Sequence, residues 1–385
     1  WFANRSLSHA LMFDPTVGFY QGRKPDGSFR ASPADFDPTV WGPDYTETNA
    51  WGQAFHAPHD GAGLASLLGG EDALAAKLDE MLTVQAVTRP SMYGMHAYNT
   101  QEMNEAQAAG LGMLAMSNQP AHHIPYMYLF AGQPWKTQWL TREILDTLFT
   151  GSEIGQGYPG DEDNGQMSAW WLLTSMGLYP LFVGSGELVV TAPLFERLVW
   201  HRGAGNAIEV RASGVEHRYI QSLRVNGEPW HEVTIPVSVL HENVLLEFEL
   251  GPEPSSWGAG SRPMSMGGGA RAWQPDRTRD AQLAGSASLI DDRGRTVTRL
   301  AAGESVELSW DAPFSVSFLT LTSPDAAAPP LQVEVRREGA WEDSGLRTRA
   351  SAQPDQTTAY ALDGEIDGVR FTATADARVS QIEVY

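Results

Sequence analysis

The chain has 385 residues and a formal net charge of −21, because 47 Asp and Glu outnumber 26 Lys and Arg. This length predicts two or three domains, each large enough to bury its own core. The negative charge argues against nucleic acid and anionic membrane as partners, since both bind basic surfaces. No apolar run approaches the roughly 20 residues that span a bilayer, and the absence of cysteine excludes disulfides and thiolate sites.

Helical patterns dominate residues 1–184. Apolar side chains recur at helical spacing in 72–84 and 136–149, and the small residues of 104–116 are typical of a helix. Loops rich in Gly, Pro, Asp and aromatic residues join these helices, as over 13–60. Because loops of this length in a compact domain usually carry function, we expect a helical barrel whose loops build a pocket.

Short β-branched segments separated by turn residues follow from residue 185 onward. They predict the strands of a β-sandwich over 185–258. Residues 259–284 are rich in Gly, Pro, Ser and Arg and are predicted to form a linker. A further run of strands predicts a second β-sandwich over 285–385. The expected fold class is therefore multidomain α and β, with a helical portion followed by β-sandwich domains.

An acidic cluster stands directly before an apolar run in GDEDNGQMSAWWLLTSMGLYPL. A calcium loop of the EF-hand type is excluded, because Gln166 and Leu172 stand where that loop needs Gly and Glu. Helix capping explains one carboxylate but not three. The remaining interpretation is that Asp161 and Asp163 hold a hard cation, activate a water, or both. A helix N-terminus would keep these carboxylates ionised, which suits a base or a metal ligand.

Glu47 lies in a second candidate stretch, YTETNAWGQAFHAPHD, among the aromatic residues Tyr45, Trp51 and Phe55. Desolvation by aromatic rings raises the pKa of a carboxyl, which would suit a general acid. The alternative is a surface glutamate beside a helix start, and this stretch alone favours that alternative.

Histidines and amides make up the third candidate stretch. The histidines of 56–59 do not fit a standard zinc spacing. His122 and His123 are adjacent, so their side chains point in different directions, and loop histidines bonded to the backbone are the simpler interpretation. Asn118 and Gln119 precede a proline and offer amides that could hold sugar hydroxyls.

A series of motifs carries a family resemblance. In chain order they are LMFDPTVGFYQGRKPDGSF, FDPTVWGPDYTETNAWGQAFHAPHD, NQPAHHIPYMYLFAGQPWKTQ, GDEDNGQMSAWWLLTSMGLYPL, SGELVVTAPLFERLVWH, RVNGEPWHEVTIP and FELGPEPSSWG. Together they resemble glycoside hydrolase family 92, the calcium-dependent exo-α-mannosidases. The resemblance implies an (α/α)6 barrel for 1–184, with the strands of 185–258 closing the family core.

The resemblance covers residues 1–258, and it is specific because several of the motifs are long. The family's N-terminal β-sandwich and first barrel helices have no counterpart in this sequence. The sequence also begins with Trp1 rather than Met. We therefore expect this chain to be the later half of a longer polypeptide, with the N-terminal half of the same enzyme as its partner. Residues 285–385 resemble the discoidin-type or carbohydrate-binding sandwiches that are appended to such enzymes.

The resemblance also implies roles for individual residues. Glu47 matches the general acid, and Asp161 and Asp163 match the paired carboxylates that activate water on the opposite face of the sugar. Inversion of configuration follows. Ca²⁺ is expected at the floor of the mannose site, with Asp163 as a ligand. The candidate substrate-binding residues are Trp51, Asn118, Gln119, His122 and His123.

Two positions depart from the family pattern. Thr48 follows Glu47 where the family usually has Gly, and Gln119 replaces a Glu near the leaving-group sugar. Two anions about 4 Å apart repel by about 4 kcal/mol at an intermediate dielectric, so a Glu there would oppose a phosphorylated leaving group and Gln119 would not. We therefore predict a substrate class of α-mannosides of N-glycans, including mannose-α-1-phospho-6-mannose. The alternative is that Gln119 forms a different hydrogen bond to an ordinary mannoside.

Three other interpretations remain open from the sequence. The chain could be a carbohydrate-binding protein without catalysis, residues 285–385 could be a structural spacer, and the barrel could belong to a trehalase-like enzyme that needs no metal. Localisation follows from the family resemblance alone, which implies a secreted or periplasmic bacterial protein.

Overall fold

The computed structural model describes residues 1–42, 44–85, 100–151, 157–203, 205–267, 273–291 and 296–385. It divides the chain into two compact units. The first unit is Ser6–Arg271, and the second joins Trp1–Arg5 to Ala272–Tyr385. Each unit has its own hydrophobic core.

Short and medium helices fill the first half of the described chain. The α-helices are α1 (Phe2–Ser6), α2 (Ala50–Gln53), α3 (Gly61–Leu68), α4 (Glu71–Thr83), α5 (Gln101–Ala108), α6 (Pro134–Leu148) and α7 (Gln166–Ser175). The 3₁₀ helices are Leu7–Met12, Pro58–Asp60, Gln119–Ala121, Ile124–Ala131, Val237–His241, Arg277–Asp280 and Ala287–Leu289. Within the described residues, no helix combines the length and apolar character that crossing a membrane requires.

The two amphipathic helices that the sequence predicts are present. Helix α4 covers the predicted 72–84, and α6 covers 136–149, with Leu140 and Ile144 of α6 fully buried. The helix predicted over 104–116 ends instead at Ala108. Glycines follow it in the left-handed region, and a Cβ on Gly112 would lie 2.3 Å from the carbonyl oxygen of Met81. The chain therefore turns here so that its backbone can pack closely against α4.

Strands form five sheets among the described residues. They are β1 (Phe13–Asp14), β2 (Phe19–Tyr20), β3 (Leu178–Tyr179), β4 (Glu187–Val190), β5 (Arg197–His201), β6 (Ala207–Ser213), β7 (Tyr219–Val225), β8 (Glu228–Pro229), β9 (Thr234–Pro236), β10 (Val244–Gly251), β11 (Gln282–Ala284), β12 (Thr298–Leu300), β13 (Ser305–Thr322), β14 (Leu331–Arg337), β15 (Ala340–Arg347), β16 (Thr357–Ala373), β17 (Ala377–Val379) and β18 (Gln381–Val384). The first unit contains the hairpin β1–β2, the sheet β3–β4–β9 and the sheet β5–β6–β10–β7–β8.

The strands of 185–258 and the helices before them share one hydrophobic core. In β10, Val244, Leu246 and Phe248 alternate with less buried residues, so one face of the sheet packs inward. Polar contacts join the sheets to α6, since the Gln138 side chain accepts the Ile220 N–H at 2.9 Å. The two domains predicted on either side of residue 185 are therefore one compact unit in the structure.

The segment predicted as a linker, 259–284, is divided between the two units, because the first unit ends at Arg271 and the second begins again at Ala272. Arg262 forms an ion pair with Glu71 of α4 at 2.7 Å. Ser265 and the Gly267 N–H donate to Asp60, each at 2.7 Å. Farther along, β11 pairs with β13. The described polar groups of 259–267 therefore have partners in the first unit, of which Asp60 is buried.

The second unit is built almost wholly of strands. Its six-stranded sheet has the order β11–β13–β16–β14–β15, with β18 pairing β13, and a smaller sheet pairs β12 with β17. Both sheets contribute side chains to one core, among them Leu300, Val333, Phe371 and Val379. The β-sandwich expected for 285–385 stays a prediction, and the unit begins at Ala272 rather than at residue 285.

Candidate active site

Glu47 lies on an irregular loop that opens onto a cleft. Its φ of 54° falls in the left-handed region, which a non-glycine residue adopts only when its surroundings enforce it. The side-chain amide of Asn118 donates to the carbonyl oxygen of Glu47 and contributes to that constraint. The Glu47 side chain is exposed. The burial among aromatic rings that the sequence suggested is therefore not present in this chain.

Hydrogen bonds of residues just before Glu47 hold its loop against the turn that follows β2. The Tyr45 hydroxyl donates to the carbonyl oxygen of Tyr20 at 2.6 Å. The Asp44 carboxylate accepts the Gly22 N–H at 2.9 Å and pairs with Arg30. Residues 20–22 therefore serve as a fixed template on which the start of the loop lies.

Thr48, one of the two departures from the family pattern, packs against α2. A Cβ built on Gly52 would lie 2.0 Å from the Thr48 hydroxyl oxygen, so the two residues are in close contact. The Gly42 N–H also donates to the Thr48 carbonyl at 3.0 Å. Thr48 thus closes the loop behind Glu47.

The loop that carries the acidic cluster approaches the same region through residues 117–119. The Gln119 side-chain amide donates to the carbonyl oxygen of Asp161 at 3.1 Å. A Cβ on Gly160, whose φ is 61°, would lie 2.3 Å from the Ser117 carbonyl oxygen, so the two backbones touch. The two acid-bearing loops are therefore held by adjacent residues, Asn118 for one and Gln119 for the other.

The three carboxylates of the acidic cluster have different surroundings. Glu162 accepts the Ser168 N–H in the first turn of α7, at 3.3 and 3.4 Å to its two oxygens. Asp161 and Asp163 are exposed, and among the described residues none donates a hydrogen bond to either side chain. Helix capping thus accounts for Glu162 alone. The other two carboxylates remain available to a ligand.

Helix α7, which follows the cluster, is anchored in the core of the first unit. The Trp170 indole N–H donates to the His122 carbonyl at 3.0 Å, and its ring stacks on Phe149 at 5.4 Å. Met167 and Trp170 are almost fully buried. The apolar run after the carboxylates therefore fixes the C-terminal end of their loop.

A cleft of about 450 Å³ lies beside Glu47. Its lining includes His9, Tyr20, Tyr45, Glu47, Gln53 and His56. Imidazole, phenol and amide groups of this kind donate and accept hydrogen bonds as sugar hydroxyls require. Sequence analysis did not select His9, Tyr20 or Gln53, because none of them lies in a spacing that signals chemistry.

Three predicted substrate-binding residues lie in the interior of the described chain. Trp51, His122 and His123 are 3%, 1% and 8% exposed. His122 donates through Nε2 to the Met116 carbonyl at 3.2 Å, and His123 to the Phe55 carbonyl at 2.8 Å. Burial lowers the pKa of His122 to about 4, and burial together with His56 lowers that of His123 to about 3. Both rings are neutral near pH 7 and support the backbone, so their substrate contacts stay a prediction.

The expected calcium ion requires six to eight oxygen ligands. The part of the chain that the structure describes has no group of three or more His, Asp or Glu side chains arranged to hold a metal. Asp163 offers one exposed carboxylate, which is an incomplete donor set. Among the described residues, side chains therefore supply only part of the donor set that a calcium ion requires.

Comparison with known proteins decides the family. A model of the glycosyl hydrolase family 92 catalytic domain matches residues 1–252. The chain belongs to glycosyl hydrolase family 92. The match contains Glu47, Asp161 and Asp163 as well as residues 117–119.

Two solved structures of the family resemble the chain. One is a family GH92 α-mannosidase of Bacteroides thetaiotaomicron in complex with mannoimidazole, 26% identical, with a TM-score of 0.60 over 68% of this chain and 34% of that chain. The other is a family GH92 inverting mannosidase of the same organism, 32% identical, with a TM-score of 0.55 over 66% of this chain and 34% of that chain. The mixed helix and strand fold of this chain is thus similar to family 92 structures.

A curated relative is named an uncharacterized secreted glycosidase of Arthroderma benhamiae. It is 28% identical over 232 residues, which are 58% of this chain and 26% of that protein. The chain therefore spans about a third of the length of the solved structures and about a quarter of the curated relative.

Proposed function

We propose that the protein is an inverting exo-α-mannosidase that removes terminal α-mannosyl residues from glycans. One observation carries the proposal. The Glu47 loop and the Asp161 loop are held by Asn118 and Gln119, which are adjacent in the chain. An inverting glycosidase needs an acid and a base on opposite faces of one sugar, about 6.5–9.5 Å apart, and two acid-bearing loops that meet at adjacent residues agree with that need. The relatives named as an α-mannosidase and an inverting mannosidase support the choice of substrate.

In the proposed reaction Glu47 donates a proton to the glycosidic oxygen while the bond from that oxygen to C1 breaks. Asp161 or Asp163 accepts a proton from a water molecule, whose oxygen forms the new bond to C1 from the opposite face. The products from an ordinary mannoside are β-mannose and the free alcohol of the leaving group, and those from mannose-α-1-phospho-6-mannose are β-mannose and mannose 6-phosphate. The exposure of both aspartates agrees with a water-binding role.

The complete catalytic domain is proposed to include a further portion of polypeptide. The helices of 6–184 would form part of an (α/α)6 barrel, completed by an N-terminal half of the same enzyme. The small share of each relative that this chain spans supports this view. Secretion is proposed from the name of the curated relative.

The more specific proposal about the substrate rests on Gln119. Its amide is neutral, so a phosphorylated leaving group near it meets no repulsion from this side chain. On this ground mannose-α-1-phospho-6-mannose is proposed as a substrate beside ordinary mannosides. The hydrogen bond from Gln119 to the Asp161 carbonyl gives the amide a second role, because a carboxylate at this position could not donate it.

Proton NMR of the product tests the proposed function. The full-length protein would be given α-1,2-mannobiose and mannose-α-1-phospho-6-mannose in separate reactions. We expect β-mannose to appear first, before mutarotation, from at least one substrate. If α-mannose appears first, the inverting roles of Glu47, Asp161 and Asp163 are wrong, and if neither substrate reacts, the proposed activity is wrong.

Calcium dependence is proposed from the family and has its own test. A bound ion would hold sugar hydroxyls, and Asp163 would be one of its ligands. A chelator is expected to abolish turnover by the full-length protein, and added Ca²⁺ is expected to restore it. Full activity after exhaustive chelation would exclude a role for the ion in turnover.

A further inference from the structure

A chain of three side chains runs from the protein interior to the cleft beside Glu47. His9 Nε2 lies 3.0 Å from an Asp60 carboxylate oxygen, and His9 Nδ1 lies 2.8 Å from the Tyr20 hydroxyl. Asp60 is 3% exposed and Tyr20 is 6% exposed. His9 and Tyr20 both line the cleft. None of these residues has a role in the mechanism described above.

Asp60 forms the fixed end of this chain. It caps α3 by accepting the Gly63 N–H at 3.2 Å, and it accepts from Ser265 and the Gly267 N–H at 2.7 Å each. Burial alone would raise the pKa of Asp60, but hydrogen bonds from His9, Ser265 and Gly267 lower it to about 2. The carboxylate is therefore ionised at neutral pH and holds His9 by a charge-assisted hydrogen bond.

The hydrogen-bond direction along the chain follows from its two ends. Burial and the charge of Asp60 raise the pKa of Tyr20 well above its usual value, so the hydroxyl keeps its proton. A neutral His9 with its proton on Nε2 satisfies both contacts, since it donates to Asp60 and accepts from Tyr20. In this arrangement each of the two contacts of His9 has one donor and one acceptor.

Tyr20 joins this chain to the Glu47 loop. Its hydroxyl is held by His9, and its carbonyl oxygen accepts the Tyr45 hydroxyl at 2.6 Å, two residues before Glu47. Gly22, next but one to Tyr20, donates its N–H to Asp44 at 2.9 Å. The turn after β2 therefore transmits the position of the Tyr20 ring to the loop that carries the proposed acid.

We propose that Asp60, His9 and Tyr20 are positioning residues that set the place of Glu47 beside the cleft. This inference rests on the proposed role of Glu47 as general acid. A shift of a catalytic group by 1 Å can cost about 100-fold in rate. Loosening the chain should therefore slow reactions that need a proton from Glu47 and spare those that do not.

Two substrates separate positioning from general damage. The glycosidic oxygen of α-1,2-mannobiose needs a proton to leave, whereas the phenolate of 2,4-dinitrophenyl α-mannoside leaves without one. The full-length protein would be compared with Tyr20→Phe and His9→Gln, with Glu47→Gln as the reference for loss of the acid. His201→Gln is the matched control, because His201 is exposed on β5 and has no place in the cleft.

For Tyr20→Phe and His9→Gln we expect kcat on mannobiose to fall about 10- to 100-fold, and kcat on the dinitrophenyl substrate to fall by less than about 3-fold. Glu47→Gln should show the same pattern with a larger ratio. Equal losses on both substrates, or a change confined to KM, would overturn the positioning role. If thermal unfolding shows that one of these variants is not folded, Tyr45→Phe is used in its place. This variant removes only the hydroxyl that donates to the Tyr20 carbonyl oxygen. If the unaltered protein hydrolyses neither substrate, the proposed function fails first and the inference fails with it.

Discussion

The two acid-bearing loops of this protein are held in different ways. The Glu47 loop is braced along its length, by Asp44 and Tyr45 on one side and by the amide of Asn118 on the other. The loop of 157–165 is fixed at its root, where Gly160 touches Ser117 and Gln119 binds the Asp161 carbonyl.

This difference matches the chemistry proposed for each loop. A general acid must present one proton to one oxygen atom, so its backbone is worth fixing even in a strained conformation. The carboxylates of Asp161 and Asp163 are exposed, as that of Glu47 is, and they can bind a water molecule or a cation. The contacts of this chain therefore define the acid side of the site more fully than the base side.

Removing a carboxylate from the less constrained loop should have the largest effect. Asp163→Ala is expected to lower kcat by about 10²–10⁴-fold, because proton transfer from water loses its acceptor. Hydrolysis of α-1,2-mannobiose by the full-length protein measures this loss. Glu162→Gln is the matched control, since it removes a charge from the same loop but keeps an acceptor for the Ser168 N–H, and it should retain turnover within about 3-fold.

The same pair of variants tests the carbohydrate-binding alternative. A protein that binds glycans without hydrolysing them would show no turnover in any variant, and Asp163→Ala would bind mannosides as the unaltered protein does. Calorimetric titration with a mannoside that resists hydrolysis measures that binding. Turnover by the unaltered protein that survives in Asp163→Ala would exclude Asp163 as the base and leave Asp161 as the candidate.

A charge at position 119 should affect one substrate more than the other. Gln119→Glu loses the hydrogen bond to the Asp161 carbonyl and adds an anion, whereas Gln119→Ala loses only the hydrogen bond. If a phosphate lies near this side chain, repulsion of about 4 kcal/mol at most separates the two variants on the phosphodiester. We expect at least a tenfold lower kcat/KM for Gln119→Glu than for Gln119→Ala on mannose-α-1-phospho-6-mannose, and similar values on mannobiose. Equal values on both substrates would leave Gln119 as a loop-positioning residue.

A single added methyl group should disrupt the contact between Gly160 and Ser117 at the root of the acidic loop. Gly160→Ala forces a Cβ toward the Ser117 carbonyl at a positive φ, and the expected loss is about 3 kcal/mol in the free energy of unfolding. Gly18→Ala is the matched control, because Gly18 has a φ of 71° and open space around its Cβ position. It should cost about 1 kcal/mol. Urea denaturation of both variants measures the difference, and equal losses would mean that the Ser117 contact contributes nothing.

Sequence periodicity predicted the helices and strands whose buried face shows in the spacing of their own apolar residues. Helices α4 and α6 follow from apolar side chains at helical spacing, because one buried face is enough to define such a helix. The early end of α5 has no comparable local signal, since Gly112 is there to approach the backbone of α4. Strands such as β10 were also predicted from their sequence pattern. The sequence did not predict that these strands share a core with the helices.

The roles of the candidate site residues come from the family resemblance and stay a prediction, and the motifs that carry it hold several chemical groups each. Glu47, Asp161 and Asp163 belong to such motifs, and their loops do converge on adjacent residues. His9 and Tyr20 meet only because Asp60 lies against them after folding, so no spacing in the sequence marks them. Single side chains that act through tertiary contacts are therefore the part that sequence analysis misses.

The smallest expected effect is a decrease in the free energy of unfolding at acidic pH, which arises in the segment on which both loops converge. His122 and His123 are held neutral by burial, with pKa values lowered to about 4 and about 3 from an unfolded value near 6.5. Below pH 6.5 the unfolded chain takes up protons that the folded chain does not. Their contribution to stability is therefore complete above pH 6.5 and decreases as the pH falls toward 4 for His122 and 3 for His123.

By linkage each histidine should lower the free energy of unfolding by about 1 kcal/mol between pH 7.5 and pH 5.5. Urea denaturation at several pH values measures the slope, and His122→Gln should reduce it by the share of one proton. If His122→Gln keeps the full slope, His122 binds protons equally in the folded and the unfolded protein over this pH range. The ring would then gain its charge in the folded protein as the pH falls, and the segment of 117–123 that joins the two loops would carry that charge at acidic pH.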